Sequence, residues 1–194
     1  ECDVASAESI EVLIKQVDEQ WGELDFLVHS LAYADTQDLS KPFSETLRDG
    51  FNKAMEISAY SLLPLAKGVI PMMRKRGGGS IVSMSFIGST LAVPNYNVMG
   101  PAKAALESCT RYLARELGPE NIRINSLSPG AIRTLSSAGI KDISEMIRVA
   151  GEHSAMKRTA TQAEVANTDT FLLSDAASGI TGQLIYVDCG YSIM

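Results

Sequence analysis

Cysteine is scarce in this chain of 194 residues: Cys2, Cys109 and Cys189 are the only three. The number is odd and the spacings do not suit a metal, which argues against a disulfide scaffold or a structural zinc site and points to free, buried thiols in a reducing compartment. Positive charge is in the minority, with 17 Lys plus Arg against 23 Asp plus Glu and a net charge of -6. The only basic triplet is Arg74-Lys75-Arg76, so neither nucleic acid nor an anionic membrane is an expected partner. No basic segment followed by an apolar one opens the chain, so no signal peptide is visible. The longest stretch free of Asp, Glu, Lys and Arg, residues 77–102, is long enough to cross a bilayer. Its glycines, prolines and asparagines would leave backbone groups unpaired in lipid, which excludes a membrane span there. The setting expected is therefore cytoplasmic, with a processed organellar form as the alternative. Internal repeats, low-complexity tracts and Pro-rich linkers are also missing, so the chain reads as one domain. Its composition, 45% hydrophobic, 21% charged and 6% aromatic, is that of a folded globular protein.

Ile10, Leu13, Ile14, Val17 and Trp21 form the stripe of an amphipathic helix, and Gly22 ends it. Residues 24–28 read as a buried strand, residues 44–76 as one long helix stopped by Gly77-Gly78-Gly79, and residues 80–86 as a second strand. Helical spacing resumes near Asn97 and continues to Gly118-Pro119, followed by a third strand at 122–127. Thr161-Gln-Ala-Glu164 is a capping box that opens a last helix through Leu173, and residues 183–187 give a final strand. Strands alternating with helices in this way specify an α/β protein, a Rossmann-like doubly wound parallel sheet whose ligands bind beyond the carboxyl ends of the strands. One part is missing. No glycine loop stands between a first strand and a first helix to cradle a phosphate, so the N-terminal βαβ strands are absent and residues 1–194 read as the C-terminal portion of a longer domain.

Three loops at the expected carboxyl ends carry the polar residues: His29-Ser30-Leu31-Ala32-Tyr33-Ala34, then Ser85-Phe86 with residues 94–103, then residues 128–134. Tyr96 and Lys103 are seven apart, nearly two helical turns, so both can face one pocket from the start of a helix. An ammonium beside a phenol favours the more acidic phenol and can donate to ribose hydroxyls, while the phenol stabilises an oxygen that becomes negative. On spacing alone, such a pair is more often structural than catalytic.

The stretch Pro-Asn-Tyr-Asn-Val-Met-Gly-x-Ala-Lys-Ala-x-Leu-Glu at 94–107 resembles the signature of the enoyl-acyl-carrier-protein reductases of the short-chain dehydrogenase/reductase superfamily. The resemblance continues through His29-Ser-Leu-Ala32, Ile122-Arg-Ile-Asn125, Ile132-Arg-Thr-Leu135, Ser178-Gly-Ile-Thr-Gly182 and Tyr186-Val-Asp188 and covers nearly the whole chain. General members of that superfamily carry Tyr-x3-Lys. Here the spacing is Tyr96-x6-Lys103. The resemblance implies reduction of trans-2-enoyl thioesters on acyl carrier protein by NADH in fatty-acid elongation, in a homotetramer, with no metal. It implies Tyr96 as donor to the thioester carbonyl and Lys103 as holder of the nicotinamide ribose. Asp3 and Val4, at the end of a truncated strand, would meet the adenine. Ser30, Leu31 and Ala32 would meet the middle of the cofactor, Ala131, Ile132 and Thr134 its nicotinamide end, and Ser85 would also touch the cofactor. Tyr33, Ala34, Phe86 and Met99 would line the acyl pocket behind a mobile lip at 135–140. Phe86 stands where the family usually has a second tyrosine, so a wall is kept and a hydroxyl is lost. Pro101 is tolerable if Asn97 caps the helix. Two rivals stay open: a short-chain reductase of a carbonyl or another activated alkene, and a catalytically silent nucleotide-binding subunit.

Overall fold

The computed structural model describes residues 1–134, 137 and 142–194. Among these, four strands, β1 (Phe26–His29), β2 (Gly79–Met84), β3 (Ile122–Pro129) and β4 (Leu184–Val187), form one parallel sheet in the order β1-β2-β3-β4. The register pairs Val28 with Val82, Val82 with Asn125, and Ser128 with Tyr186. Every ladder is parallel, so each strand needs a crossover. Those crossovers are the helices α3 (Arg48–Met55) and α4 (Leu62–Arg76), then α5 (Met99–Leu117), then α6 (Ile143–His153) and α7 (Gln162–Leu173). The parallel doubly wound class read from the sequence is thus borne out.

Alternation along the strands sorts the core into two layers. Ile81, Ile122 and Ile124 point to one face and pack with Leu62, Ala66, Val69, Met73, Leu106 and Leu117 of α4 and α5. The first helix, α1 (Ala7–Trp21), reaches this cluster through Ile14 and Val17. Trp21, counted in the same stripe, is instead 64% exposed at the helix end. Val82 and Leu127 point the other way, onto Val165 and Leu172 of α7. Polar residues hold the layers together as well. Ser83, Ser126 and Thr110 form a buried triangle of hydroxyls at 2.8–3.1 Å between the sheet and α5. Arg123 donates to the carbonyls of Leu172 and Ser174 at 2.8 and 3.0 Å and so satisfies the C-terminal end of α7.

Several expectations need correction. The single helix at 44–76 is divided into α3, a π-turn at Glu56–Tyr60, and α4. At the break the Ser61 amide reaches back to Glu56 and its hydroxyl donates to the Ile57 carbonyl at 2.6 Å, which competes with the regular ladder. Two helices, the short α2 (Thr36–Ser40) and α6, stand where no helix was read. Asn97 does not cap α5. Val98 holds that position, and the Asn97 amide donates instead to the Leu39 and Lys41 carbonyls. Pro101 falls in the first turn, where an amide has no intrahelical partner to lose. Residues 1–3 belong to no strand. The three cysteines are free but only partly buried. The basic triplet is dispersed into exposed ion pairs, with Arg74 on Glu120, Lys75 on Asp18 and Arg76 on Asp25. Thr161 and Glu164 do form the capping box. Among the described residues no helix is long and apolar enough to cross a membrane.

Candidate active site

Beyond the carboxyl ends of β1, β2 and β3 lies a cleft of about 470 Å³. The sequence reading placed Ser30, Leu31, Ala32, Tyr33, Ala34, Ser85, Phe86, Tyr96, Met99, Lys103, Ala131, Ile132 and Thr134 at a site, and all of them line this cleft. Asp3 and Val4 lie outside its lining. There the Asp3 carboxylate accepts from the amide of Ala5 at 3.0 Å. Of the lip read at 135–140, Ser137 lines the cleft and bonds to Thr134, whereas Leu135, Ser136, Ala138, Gly139 and Ile140 lie outside the described residues.

Tyr96 is not on the helix that carries Lys103. It occupies a turn in which Asn95 and Asn97 both adopt left-handed backbone, a conformation asparagine tolerates better than most residues. Two glycines let that turn press down on the strand-end loop. A Cβ on Gly88 would stand 2.6 Å from Cε1 of Tyr96, and one on Gly100 would stand 2.8 Å from the Gly88 carbonyl oxygen. The Tyr96 ring tilts against Phe86 with centroids 4.8 Å apart. It packs among Leu39, Ala54, Val98 and Met99 and remains 7% exposed. Burial, reinforced by the negative charge of Glu107, holds its phenol well above the ordinary tyrosine value. The sequence reading expects Lys103 to make this phenol more acidic. Desolvation dominates instead, so the hydroxyl stays protonated and serves as a donor.

Lys103 is buried too, with its ammonium donating to the Met84 carbonyl at 2.6 Å. Loss of water lowers its pKa to about 8, against an opposing pull from Glu107. The loop after β1 is tied from below by the π-turn. The Ser58 hydroxyl accepts from the Tyr33 amide at 2.9 Å and lies 3.1 Å from the Tyr33 carbonyl, so one side chain serves both backbone groups. Ser61 has given its proton to Ile57 and so accepts from Nε2 of His29 at 2.8 Å. His29 is therefore a neutral ring protonated on Nε2, and its Nδ1 has no partner among the described residues. Burial first, and Lys103 second, lower its pKa to about 4.

Sequence reasoning gave no site role to Leu39, Met84, Ile143 and Met146 in the lining or to Ser58, His29 and Glu107 behind it, although His29 stands in the first strand-end loop and Glu107 in the signature stretch. Ile143, Met146, Ile147 and Ala150 carry helical spacing that would have found α6. Nothing in a single sequence marks the π-turn. The cleft wall is chiefly apolar, and its polar side chains among the described residues are Ser30, Tyr33, Thr36, Ser85, Tyr96, Lys103, Thr134 and Ser137. Such a cleft accepts a long apolar group whose polar end meets a phenol and an ammonium. The site also fits a nicotinamide nucleotide, since a buried cation, strand-end backbone and the small side chains of Ala32 and Ala131 share one surface.

Sheet, cleft and tyrosine–lysine pair together define an α/β reductase of the Rossmann-like class. The sequence profile of the family described as Enoyl-(Acyl carrier protein) reductase matches residues 1–192, and the chain belongs to that family. It is 50% identical over 192 residues to the enoyl-[acyl-carrier-protein] reductase [NADH] FabI of Synechocystis sp., covering 99% of this chain and 74% of the relative. With the protein of the same name from Neisseria meningitidis it shares 48% over 193 residues, again 99% and 74% of the two chains. Among solved structures, FabI from Candidatus Liberibacter asiaticus superposes with a TM-score of 0.96 at 40% identity, covering 100% of this chain and 74% of that one. The Anaplasma phagocytophilum reductase, solved in complex with NAD, superposes with a TM-score of 0.94 at 41% identity, covering 100% and 73%.

Proposed function

We propose that the protein reduces the double bond of trans-2-enoyl thioesters carried by acyl carrier protein, using NADH, as a step of fatty-acid elongation. One observation carries the reading: a buried, protonated Tyr96 hydroxyl and a buried Lys103 line the same apolar cleft. NADH, when bound, supplies the hydride that the β-carbon of the thioester receives. As the carbonyl oxygen gains negative charge, the Tyr96 hydroxyl hydrogen-bonds to it, and a proton from water taken up at the α-carbon completes the reduction. A hydrogen bond that strengthens as charge develops lowers the barrier rather than merely holding substrate. Lys103 donates to the nicotinamide ribose and adds positive charge on the same side. Ser30, Leu31, Ala32 and Ser85 hold the middle of the cofactor, Ala131, Ile132 and Thr134 its nicotinamide end, and Asp3 and Val4 its adenine. Tyr33, Ala34, Phe86 and Met99 wall the acyl chain, and the lost hydroxyl at Phe86 leaves Tyr96 as the principal donor to the oxyanion.

The same reading carries a homotetramer working in the cytoplasm. It is supported by exposed aromatic rings, Tyr112 at 78% and Tyr60 at 58%, and by three unpaired thiols. Sedimentation showing monomer alone contradicts the tetramer. The activity is tested by following NADH absorbance with a trans-2-enoyl thioester, a 3-oxoacyl thioester and a simple ketone. Turnover of the enoyl thioester alone is expected. Turnover of an oxo substrate without the enoyl one would replace this reading with a carbonyl reductase.

A further inference from the structure

We propose that Glu107 is a positioning residue of this site, a buried carboxylate that orients Ser85 and stands one helical turn behind Lys103 as its counter-charge. The inference rests on the reading of Tyr96 and Lys103 given above. Glu107 follows Lys103 by four residues on α5, so both project from one face of the helix, one turn apart. They are 6% and 5% exposed. A carboxylate taken from water that far is costly unless its oxygens are used. Here Oε1 accepts a hydrogen bond from the Ser85 hydroxyl, and Ser85 lines the cleft. With its proton committed to Glu107, the Ser85 oxygen can act only as an acceptor toward the cleft, which suits a donor such as a sugar hydroxyl.

The carboxylate also acts through space. Lys103 gives its hydrogen bond to the Met84 carbonyl, which carries no full charge to balance the ammonium. The groups facing Lys103 are Glu107 on its own helix, His29 on β1, and Tyr96 in the preceding turn. His29 is neutral and Tyr96 keeps its proton, so among these only Glu107 supplies negative charge. That charge opposes the desolvation of Lys103 and at the same time makes the Tyr96 proton harder to lose. Both donors of the site need their protons, and one buried anion behind them favours both.

The test measures Lys103 directly by NMR titration of lysine-labelled protein, with the resonance assigned through Lys103→Arg and folding checked by thermal unfolding. The wild-type midpoint is expected near 8. In Glu107→Gln, which keeps an acceptor for Ser85 but removes the charge, the midpoint is expected to fall by about one pH unit. The alkaline limb of kcat/KM is expected to move down with it. Glu107→Asp restores the charge and is expected to return the midpoint most of the way. A folded Glu107→Gln protein with an unmoved Lys103 midpoint overturns the proposal. Should Glu107→Gln fail to fold, a Ser85→Ala, Glu107→Leu pair takes its place, replacing both buried polar partners by apolar groups, and the same midpoint decides. Full enoyl-thioester turnover in Lys103→Ala would instead sink the reading of the catalytic pair, and the NMR titration separates that failure from this one.

Discussion

Replacing Gly88 with alanine probes how tightly Tyr96 is set. A Cβ built there would stand 2.6 Å from Cε1 of the ring and would also meet Cδ1. Ordinary carbon contact is about 3.5 Å, so the ring or the loop must withdraw by about 1 Å. Phe86 packs on the ring at 4.8 Å between centroids, and Leu39, Val98 and Met99 share its cluster, so there is little slack to absorb the shift. A misplacement of about 1 Å in a reacting group can reduce turnover by about 10²-fold, while overpacking of a core costs about 1–3 kcal/mol of stability. NADH consumption with a saturating enoyl thioester should therefore fall by about 10–100-fold. NADH affinity, measured by fluorescence titration, should change far less, because Lys103 is untouched. A Gly88→Ala protein that folds normally and turns over within twofold of wild type would refute the argument that this glycine sets the position of the phenol.

His29→Gln tests the neutral buried imidazole. With a folded pKa of about 4 against an ordinary 6.5, the unfolded chain binds more protons between those values. Stability contributed by the neutral ring is complete above pH 6.5 and is lost as pH falls toward 4, by about 3 kcal/mol. Urea unfolding across that range should show the wild type losing this much more stability than His29→Gln, and parallel curves would contradict it. Ser58→Ala strips both backbone groups of Tyr33 of their shared partner, which should cost about 1–3 kcal/mol in urea unfolding. It should also raise KM for the enoyl thioester more than it lowers kcat, and an unchanged KM would show that the loop is held by other means.

Much of the architecture was legible because hydrophobic period and capping agree with burial. The stripe through Ile10, Ile14 and Val17, the strands at 80–86 and 122–127, and the Thr161 capping box all became elements close to where they were read. The strand-end loops named the cleft because an α/β sheet leaves its free backbone there. The division of the helix at 44–76 was not legible, since a π-turn differs from an α-turn only in which carbonyl each amide finds. Tyr96 reaches the cleft through a left-handed asparagine turn and two close-packed glycines rather than through helical azimuth, so the helical argument that put both residues at one cleft holds for Lys103 alone. Glu107 was missed because a charged residue on a helix is ordinarily read as solvent-facing, and only the packing of α5 on β2 and β3 buries it.

The central claim is that a protonated Tyr96 donates to the substrate oxygen while Lys103 holds the cofactor. The most direct measurement compares wild type, Tyr96→Phe and Lys103→Ala in NADH consumption with a trans-2-enoyl thioester, alongside NADH binding to each. Tyr96→Phe is expected to bind NADH normally and lose about 10²–10³-fold in kcat, the usual cost of removing one oxyanion donor. Lys103→Ala is expected to lose NADH affinity as well as turnover. Wild-type turnover in a folded Tyr96→Phe protein would contradict the account.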